Sequence, residues 1–121
     1  MIIMTEMKTI LWIRSYFLED KQYRRFGEFY NTVHDLATSE TRLDMIRQGT
    51  LRPSMIILDS ETYDPDFVRT VRQLNNDIVI CLYATDEESR EDQRYDIDCL
   101  VPRNMTNGDA LAAFIRSRIG E

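Results

Sequence analysis

Runs of consecutive apolar residues alternate along this chain with segments in which apolar residues recur every three or four positions. Three of these runs are typical of buried strands, because both faces of a parallel sheet are covered. They are TILWI (9–13), MIIL (55–58) and IVICLYA (78–84). Shorter runs at 33–37 and 97–101 predict two further strands. The pattern therefore predicts five strands.

Amphipathic segments fill the intervals between the strands. Thr38 or Ser39 is expected to cap one helix, which Gly49 ends. Asp64 is expected to cap the next, with Pro65 at the first helical position. The predicted helices cover approximately residues 17–33, 38–48, 65–74, 85–95 and 109–119.

Strand and helix alternate five times, which predicts a parallel sheet with helices on both faces. The expected architecture is α/β: a single (βα)5 flavodoxin-like three-layer sandwich with strand order 2-1-3-4-5. The 121 residues are enough to bury about two-thirds of the surface of the unfolded chain. We predict one domain over residues 1–121, of which 1–7 form an N-terminal extension.

Composition narrows the function classes. The net charge of -6 disfavours direct binding to nucleic acid. No stretch has the roughly 18 apolar residues of a membrane span and no secretion signal is present, so we expect a cytoplasmic protein without membrane contact. Cys81 and Cys99 lie in predicted interior strands, where reduced, buried thiols are expected rather than a disulfide or a metal site.

One acidic residue stands at a position suited to chemistry. The segment RPSMIILD ends its apolar run on Asp59. A parallel strand delivers its last side chain to the carboxyl edge of the sheet, where open α/β folds place their active sites. Asp59 is therefore a candidate functional residue.

The order of elements and the segment RPSMIILD resemble a bacterial response-regulator receiver domain over residues 8–119. The resemblance implies a five-stranded receiver fold with Asp59 as the phosphoacceptor. Receivers take the phosphoryl group from a histidine kinase with the help of bound Mg²⁺.

The metal-binding positions of the family differ in this chain. Receivers carry a pair of acids at the end of the first strand, where this sequence has Arg14 and Ser15. The acids Glu19 and Asp20 come more than a helical turn later. Because Mg²⁺ needs carboxylates aimed at it, we expect no bound Mg²⁺ and no other cofactor.

Other family positions are altered as well. Tyr83 stands where receivers have a hydroxyl residue, and a two-residue shift would bring Thr85 there instead. Pro102, followed by Arg103, replaces the lysine of the fifth strand, and Cys99 replaces its aromatic residue. We expect Arg14 or Arg103 to form an ion pair with Asp59.

The resemblance also implies an interaction surface on the predicted fourth helix, fifth strand and fifth helix, through which receivers form dimers and contact outputs. Acids of the fourth helix would face arginines of the last helix across a two-fold axis. The candidate residues are Asp86, Glu87, Arg90, Glu91, Arg94, Cys99, Arg116 and Arg118.

The sequence thus predicts a divergent receiver, or pseudo-receiver, that is not an enzyme and acts by protein–protein interaction in bacterial two-component or transcriptional control. Its partner is another protein or an output domain, and the chain is either a stand-alone adaptor or the N-terminal receiver of a longer protein. Two alternatives stay open. Asp59 accepts a phosphoryl group by a metal-poor mechanism, or the chain is a small flavodoxin-like enzyme or ligand-binding protein.

Overall fold

The computed structural model describes residues 7–14, 26–84, 95–102 and 108–120 of the chain. Five strands and three helices lie within these ranges. The strands are β1 (Thr9–Ile13), β2 (Asn31–Asp35), β3 (Pro53–Leu58), β4 (Val79–Ala84) and β5 (Cys99–Pro102), and the helices are α1 (Glu40–Gln48), α2 (Pro65–Leu74) and α3 (Gly108–Ile119).

All five strands belong to one parallel sheet in the order β2-β1-β3-β4-β5, as predicted. The central strands β1, β3 and β4 are almost completely buried, whereas the edge strands β2 and β5 are partly exposed. Helices cover both faces of the sheet, which gives the flavodoxin-like α/β architecture.

Each face of the sheet has its own apolar core. On one face, α3 packs through Leu111 and Ile115 against Trp12 and Ile57. The other face is covered by α1 and α2, whose buried residues pack against alternate positions of the same strands. Because successive side chains of a strand point to opposite faces, a continuous apolar run supplies both cores.

The predicted ends of α1 and the predicted start of α2 are confirmed. The Ser39 hydroxyl accepts the N–H of Arg42, and Gly49 ends α1 with a φ of 80° in the left-handed region, which favours glycine. Asp64 caps α2 by accepting the N–H of Asp66, with Pro65 at the start of the helix.

Several predicted boundaries were wrong. The second strand was expected at 33–37 and the fifth at 97–101, whereas they lie at Asn31–Asp35 and Cys99–Pro102. The first helix does not continue to residue 33: helical backbone is described at 26–27, and β2 already begins at Asn31. Pairing with β1, where Leu11 lies beside Val33, prevails over the helical repeat of the apolar residues. In addition, β3 starts at Pro53, which had been assigned to a loop, because proline is tolerated at the first position of a strand.

No helix in the described ranges has both the length and the apolar character that crossing a bilayer requires. The predicted fourth helix (85–95) lies almost entirely outside the described residues.

Candidate functional site at the carboxyl edge of the sheet

Two charged side chains lie buried where the central strands end. Arg14 directly follows β1 and Asp59 directly follows β3, and each is only 2% exposed. Tyr83, near the end of the neighbouring strand β4, is buried as well. Since parallel strands end at the same edge, this edge combines a cation, a carboxylate and a phenol at adjacent strand ends.

The Asp59 carboxylate closes the loop that follows β3. Its Oδ1 accepts the backbone N–H of Glu61 at 2.9 Å and that of Thr62 at 2.8 Å. The Thr62 hydroxyl in turn accepts the N–H of Asp59 at 3.0 Å and donates to the carbonyl of Ile13 at 2.9 Å. One oxygen of the candidate phosphoacceptor therefore organises backbone that ties β3 to the end of β1.

Sequence reasoning missed Thr62. The signal was the spacing of Asp59 and Thr62, because an aspartate followed by a hydroxyl residue three positions later can form two reciprocal side-chain to backbone hydrogen bonds, as a capping box does. Here the residues form a turn rather than a helix. Thr62 is itself buried, so its hydroxyl belongs to the internal structure of the site.

Arg14 lies on an aromatic cluster. Its guanidinium carbon is 4.5 Å from the centre of the Trp12 ring. Trp12 contacts Phe26 and Tyr83 edge to face, at 5.8 and 5.4 Å between ring centres, and stacks on His34 at 6.4 Å. A buried cation over a tryptophan face is stabilised by about 2 kcal/mol. The aromatic platform thus lies beneath a buried positive charge at the end of β1.

Arg14 also acts on the two titratable rings beside it. Burial raises the pKa of the Tyr83 phenol, and the positive charge of Arg14 opposes that rise. The phenol is thereby kept neutral and protonated at physiological pH. The assignment of Tyr83, rather than Thr85, to the hydroxyl position of the receiver family stays a prediction.

The stability of the protein should depend on pH through His34. His34 lies on the edge strand and is exposed, but its partial desolvation, followed by the charge of Arg14, lowers its pKa below the ordinary value of 6.5, and Asp35 opposes this effect. The folded state binds the proton more weakly than the unfolded chain. The contribution of neutral His34 to the free energy of unfolding is therefore complete above pH 6.5 and is lost as pH falls through the pKa of the folded state. We expect His34→Gln to lose less stability than the wild type on acidification.

Urea denaturation of both proteins at a series of pH values below 6.5 measures the difference. The neighbouring Asp35 forms a bidentate ion pair with Arg42 of α1, at 2.7 and 2.9 Å. Equal pH dependence in the wild type and in His34→Gln would show that His34 does not carry the effect.

The two cysteines correct a prediction made from the sequence. Cys81 and Cys99 form a disulfide and are not reduced thiols. They are partners in the register of β4 and β5, with their Cα atoms 4.8 Å apart. Strand pairing brings together residues that are 18 positions apart in the chain, which their spacing alone did not indicate.

A contact not predicted from the sequence links the Asp59 loop to the segment before β5. The Tyr63 hydroxyl accepts the N–H of Asp96 at 2.7 Å, and its ring meets that of Tyr95 edge to face at 4.9 Å. Arg72 of α2 forms ion pairs with Asp96 and Asp98 beside it. The loop that carries the candidate phosphoacceptor is thus physically connected to the start of β5.

The remaining candidates fall into two groups. Arg116 and Arg118 are exposed on α3, with guanidinium carbons 5.8 Å from the Phe29 ring and 5.2 Å from the Phe114 ring. The other group lies outside the described residues and consists of Ser15, Glu19, Asp20, Thr85, Asp86, Glu87, Arg90, Glu91, Arg94 and Arg103. An ion pair of Asp59 with Arg14 or Arg103 stays a prediction.

The larger of two described cavities lies away from Asp59. Its volume is about 620 Å³, and its lining includes Lys8, Pro53 and Ile78 at the amino ends of strands and Arg118 near the end of α3. Within the ranges the structure describes, no cluster of three or more His, Cys, Asp or Glu side chains could hold a metal ion. The expectation about Mg²⁺ is not tested by this observation.

No protein-family profile matches the chain, and no curated protein is significantly similar to it in sequence. Solved structures share its fold. A CheY-like response-regulator receiver domain protein from Methanospirillum hungatei superimposes with a TM-score of 0.64 at 16% identity, covering 94% of each chain. The chain thus has a receiver-like, flavodoxin-like fold.

Two further structures show how widely this fold is used. A pilus assembly-related protein from Burkholderia pseudomallei gives a TM-score of 0.59 at 12% identity, covering 92% of this chain and 88% of that one. The lysine decarboxylase of Francisella novicida gives 0.66 at 15% identity, covering 95% of this chain but 17% of the enzyme. At these identities the similarity concerns the fold and not the activity.

Proposed function

We propose that this chain is a divergent receiver-like domain that acts in bacterial signalling by binding another protein, without the magnesium-dependent phosphorylation cycle of ordinary receivers. The observation that carries the proposal is the use of Asp59 Oδ1 as a backbone acceptor at a buried strand end. On this view Asp59 is primarily a structural residue, and the domain is neither an enzyme nor dependent on a cofactor.

The position of Arg14 supports the same conclusion. Binding of Mg²⁺ beside a phosphoacceptor needs carboxylates, and a buried guanidinium at the end of β1 repels a second cation. Its contact with the Trp12 ring favours a lasting structural position for this charge. The proposal includes a cytoplasmic location, where signalling receivers work.

Phosphorylation chemistry provides the test. We expect acetyl phosphate or beryllofluoride to leave the intact mass and the amide NMR spectrum of the protein unchanged, with or without Mg²⁺. The matched control is Asp59→Asn, which keeps a carbonyl oxygen for the loop but removes the nucleophilic carboxylate. A Mg²⁺-dependent adduct that is present in the wild type and lost in Asp59→Asn would overturn the proposal.

One observation favours a second candidate function. Arg14 directly follows β1, the strand next to that of Asp59, and on this view its positive charge neutralises an incoming phosphoryl group. This candidate, a receiver phosphorylated by a metal-poor mechanism, predicts an Asp59 adduct of equal yield in Mg²⁺ and in a chelator. Loss of that adduct in Arg14→Gln would support it.

We assign the partner surface to β5 and α3; on α3, Arg116 and Arg118 are exposed, and each lies beside a partly buried aromatic ring. Arginine and aromatic residues are enriched in protein interfaces, and the excess of acids elsewhere in the chain makes a second copy a suitable partner. We expect sedimentation velocity to detect a dimer, and the double variant Arg116→Glu, Arg118→Glu to be monomeric. A wild-type monomer at all concentrations would exclude self-association.

A further inference from the structure

The Cys81–Cys99 disulfide joins the edge strand β5 to the buried strand β4, and its two ends differ in exposure. Cys81 is 0% exposed within the core that also contains Tyr83 and Val101, whereas Cys99 is partly exposed on the edge strand. Cys99 is therefore the more accessible end of the bond for a thiolate from solution. Thiol–disulfide exchange depends on such access.

The disulfide is not the only attachment of β5. Leu100 and Val101 pair with β4 in the parallel sheet, and Val101 is completely buried. Just before the strand, Asp98 exchanges two hydrogen bonds with the backbone of Ile80, at 2.7 and 2.9 Å. These contacts involve neither sulfur, so they do not depend on the disulfide.

From this placement we propose that Cys81 and Cys99 form a reversible redox pair, opened by a dithiol that attacks Cys99. The inference rests on the cytoplasmic location proposed above, because disulfides in reducing compartments are usually transient and redox-sensing. The pair belongs to the surface assigned to the partner. Its reduction presents a free thiol there and releases the covalent tether of the edge strand.

The exchange balances in two steps. A thiolate of the reductant attacks Cys99 Sγ, the Cys81–Cys99 bond breaks, and its electron pair passes to Cys81 Sγ, which takes up a proton. The second thiol of the reductant then attacks the mixed disulfide and releases Cys99 as a thiol. The dithiol becomes a disulfide, and the protein gains two electrons and two protons. A glutathione disulfide reverses the change by taking up the same electrons and protons as two glutathione thiols.

Alkylation of the folded protein tests the proposal. We expect iodoacetamide to label neither cysteine before treatment and both after dithiothreitol without denaturant, with Cys99 reacting at least about tenfold faster than Cys81 because the buried thiol is poorly accessible. Peptide masses of the wild type give this order without any variant. Oxidised glutathione added after removal of dithiothreitol should restore the unlabelled state, with the circular dichroism unchanged throughout.

Single-cysteine variants provide matched controls. Cys81→Ser keeps the exposed thiol and should form a mixed disulfide with glutathione, whereas Cys99→Ser should not. Labelling of the untreated wild type, reduction only in denaturant, or unfolding on reduction would each overturn the proposal. These readouts are independent of phosphate adducts on Asp59, so failure of the redox inference and failure of the proposed function are distinguishable.

Discussion

Replacing Trp12 by alanine is expected to lower the free energy of unfolding by about 4 kcal/mol, because it removes a large, fully buried ring and leaves a cavity. The loss includes the edge-to-face contacts with Phe26 and Tyr83 and the platform beneath Arg14. Native domains of this kind are stable by only about 5–15 kcal/mol, so the change removes a large share of the total. Urea denaturation measures it as a lower midpoint.

Two controls make the Trp12 prediction specific. Trp12→Phe keeps an aromatic face and should cost clearly less, which also provides a folded variant if the alanine variant does not fold. Leu36→Ala alters an apolar side chain that is 58% exposed and should change stability by no more than about 0.5 kcal/mol. A cost of Trp12→Ala as small as that of Leu36→Ala would contradict the described core.

The second large effect is expected at Asp59. Asp59→Ala should lower the free energy of unfolding by about 3 kcal/mol, because it leaves the N–H groups of Glu61 and Thr62 without their carboxylate acceptor. Asp59→Asn keeps a carbonyl oxygen in reach of both donors and should cost about 1 kcal/mol. Denaturation of the two variants side by side measures the difference.

This comparison separates a structural from a chemical role. If Asp59 served only phosphoryl transfer, the Asp59→Ala and Asp59→Asn variants would have nearly equal free energies of unfolding. That result would remove the observation on which the proposed function rests. A large cost for Ala with a small cost for Asn would show that the loop depends on the acceptor oxygen. Because the measurement needs no kinase or partner, it can be made on the isolated domain.

Local signals accounted for the parts of the fold that depend on neighbours in the chain. Ser39, Gly49 and Asp64 act at the helix ends where the sequence placed them, because capping is a contact between residues two to four positions apart. The segment 31–35 was harder to assign. Val33 fits a helical repeat with the apolar residues before it, but the segment pairs with β1 and therefore forms a strand.

In the candidate site, too, the sequence indicated some residues, and others became evident only from contacts across the fold. Sequence reasoning found Asp59 from its place at the end of a parallel strand, and it found Arg14 and Tyr83 from the resemblance to receiver domains. It missed the hydroxyl of Thr62, and it did not find the contact of Tyr63 with the segment before β5. Both depend on the path of a loop, which hydrophobic periodicity does not specify.

The sequence by itself determined the α/β class, from the alternation of apolar runs with helical segments, and the place of a carboxylate at the end of β3; the strand order was the one expected for an α/β domain of this size. The tertiary structure alone decided that Cys81 and Cys99 are bonded and that Asp59 Oδ1 holds its own loop. The physical reason is that the register of two strands and the course of a loop are set by contacts across the whole fold.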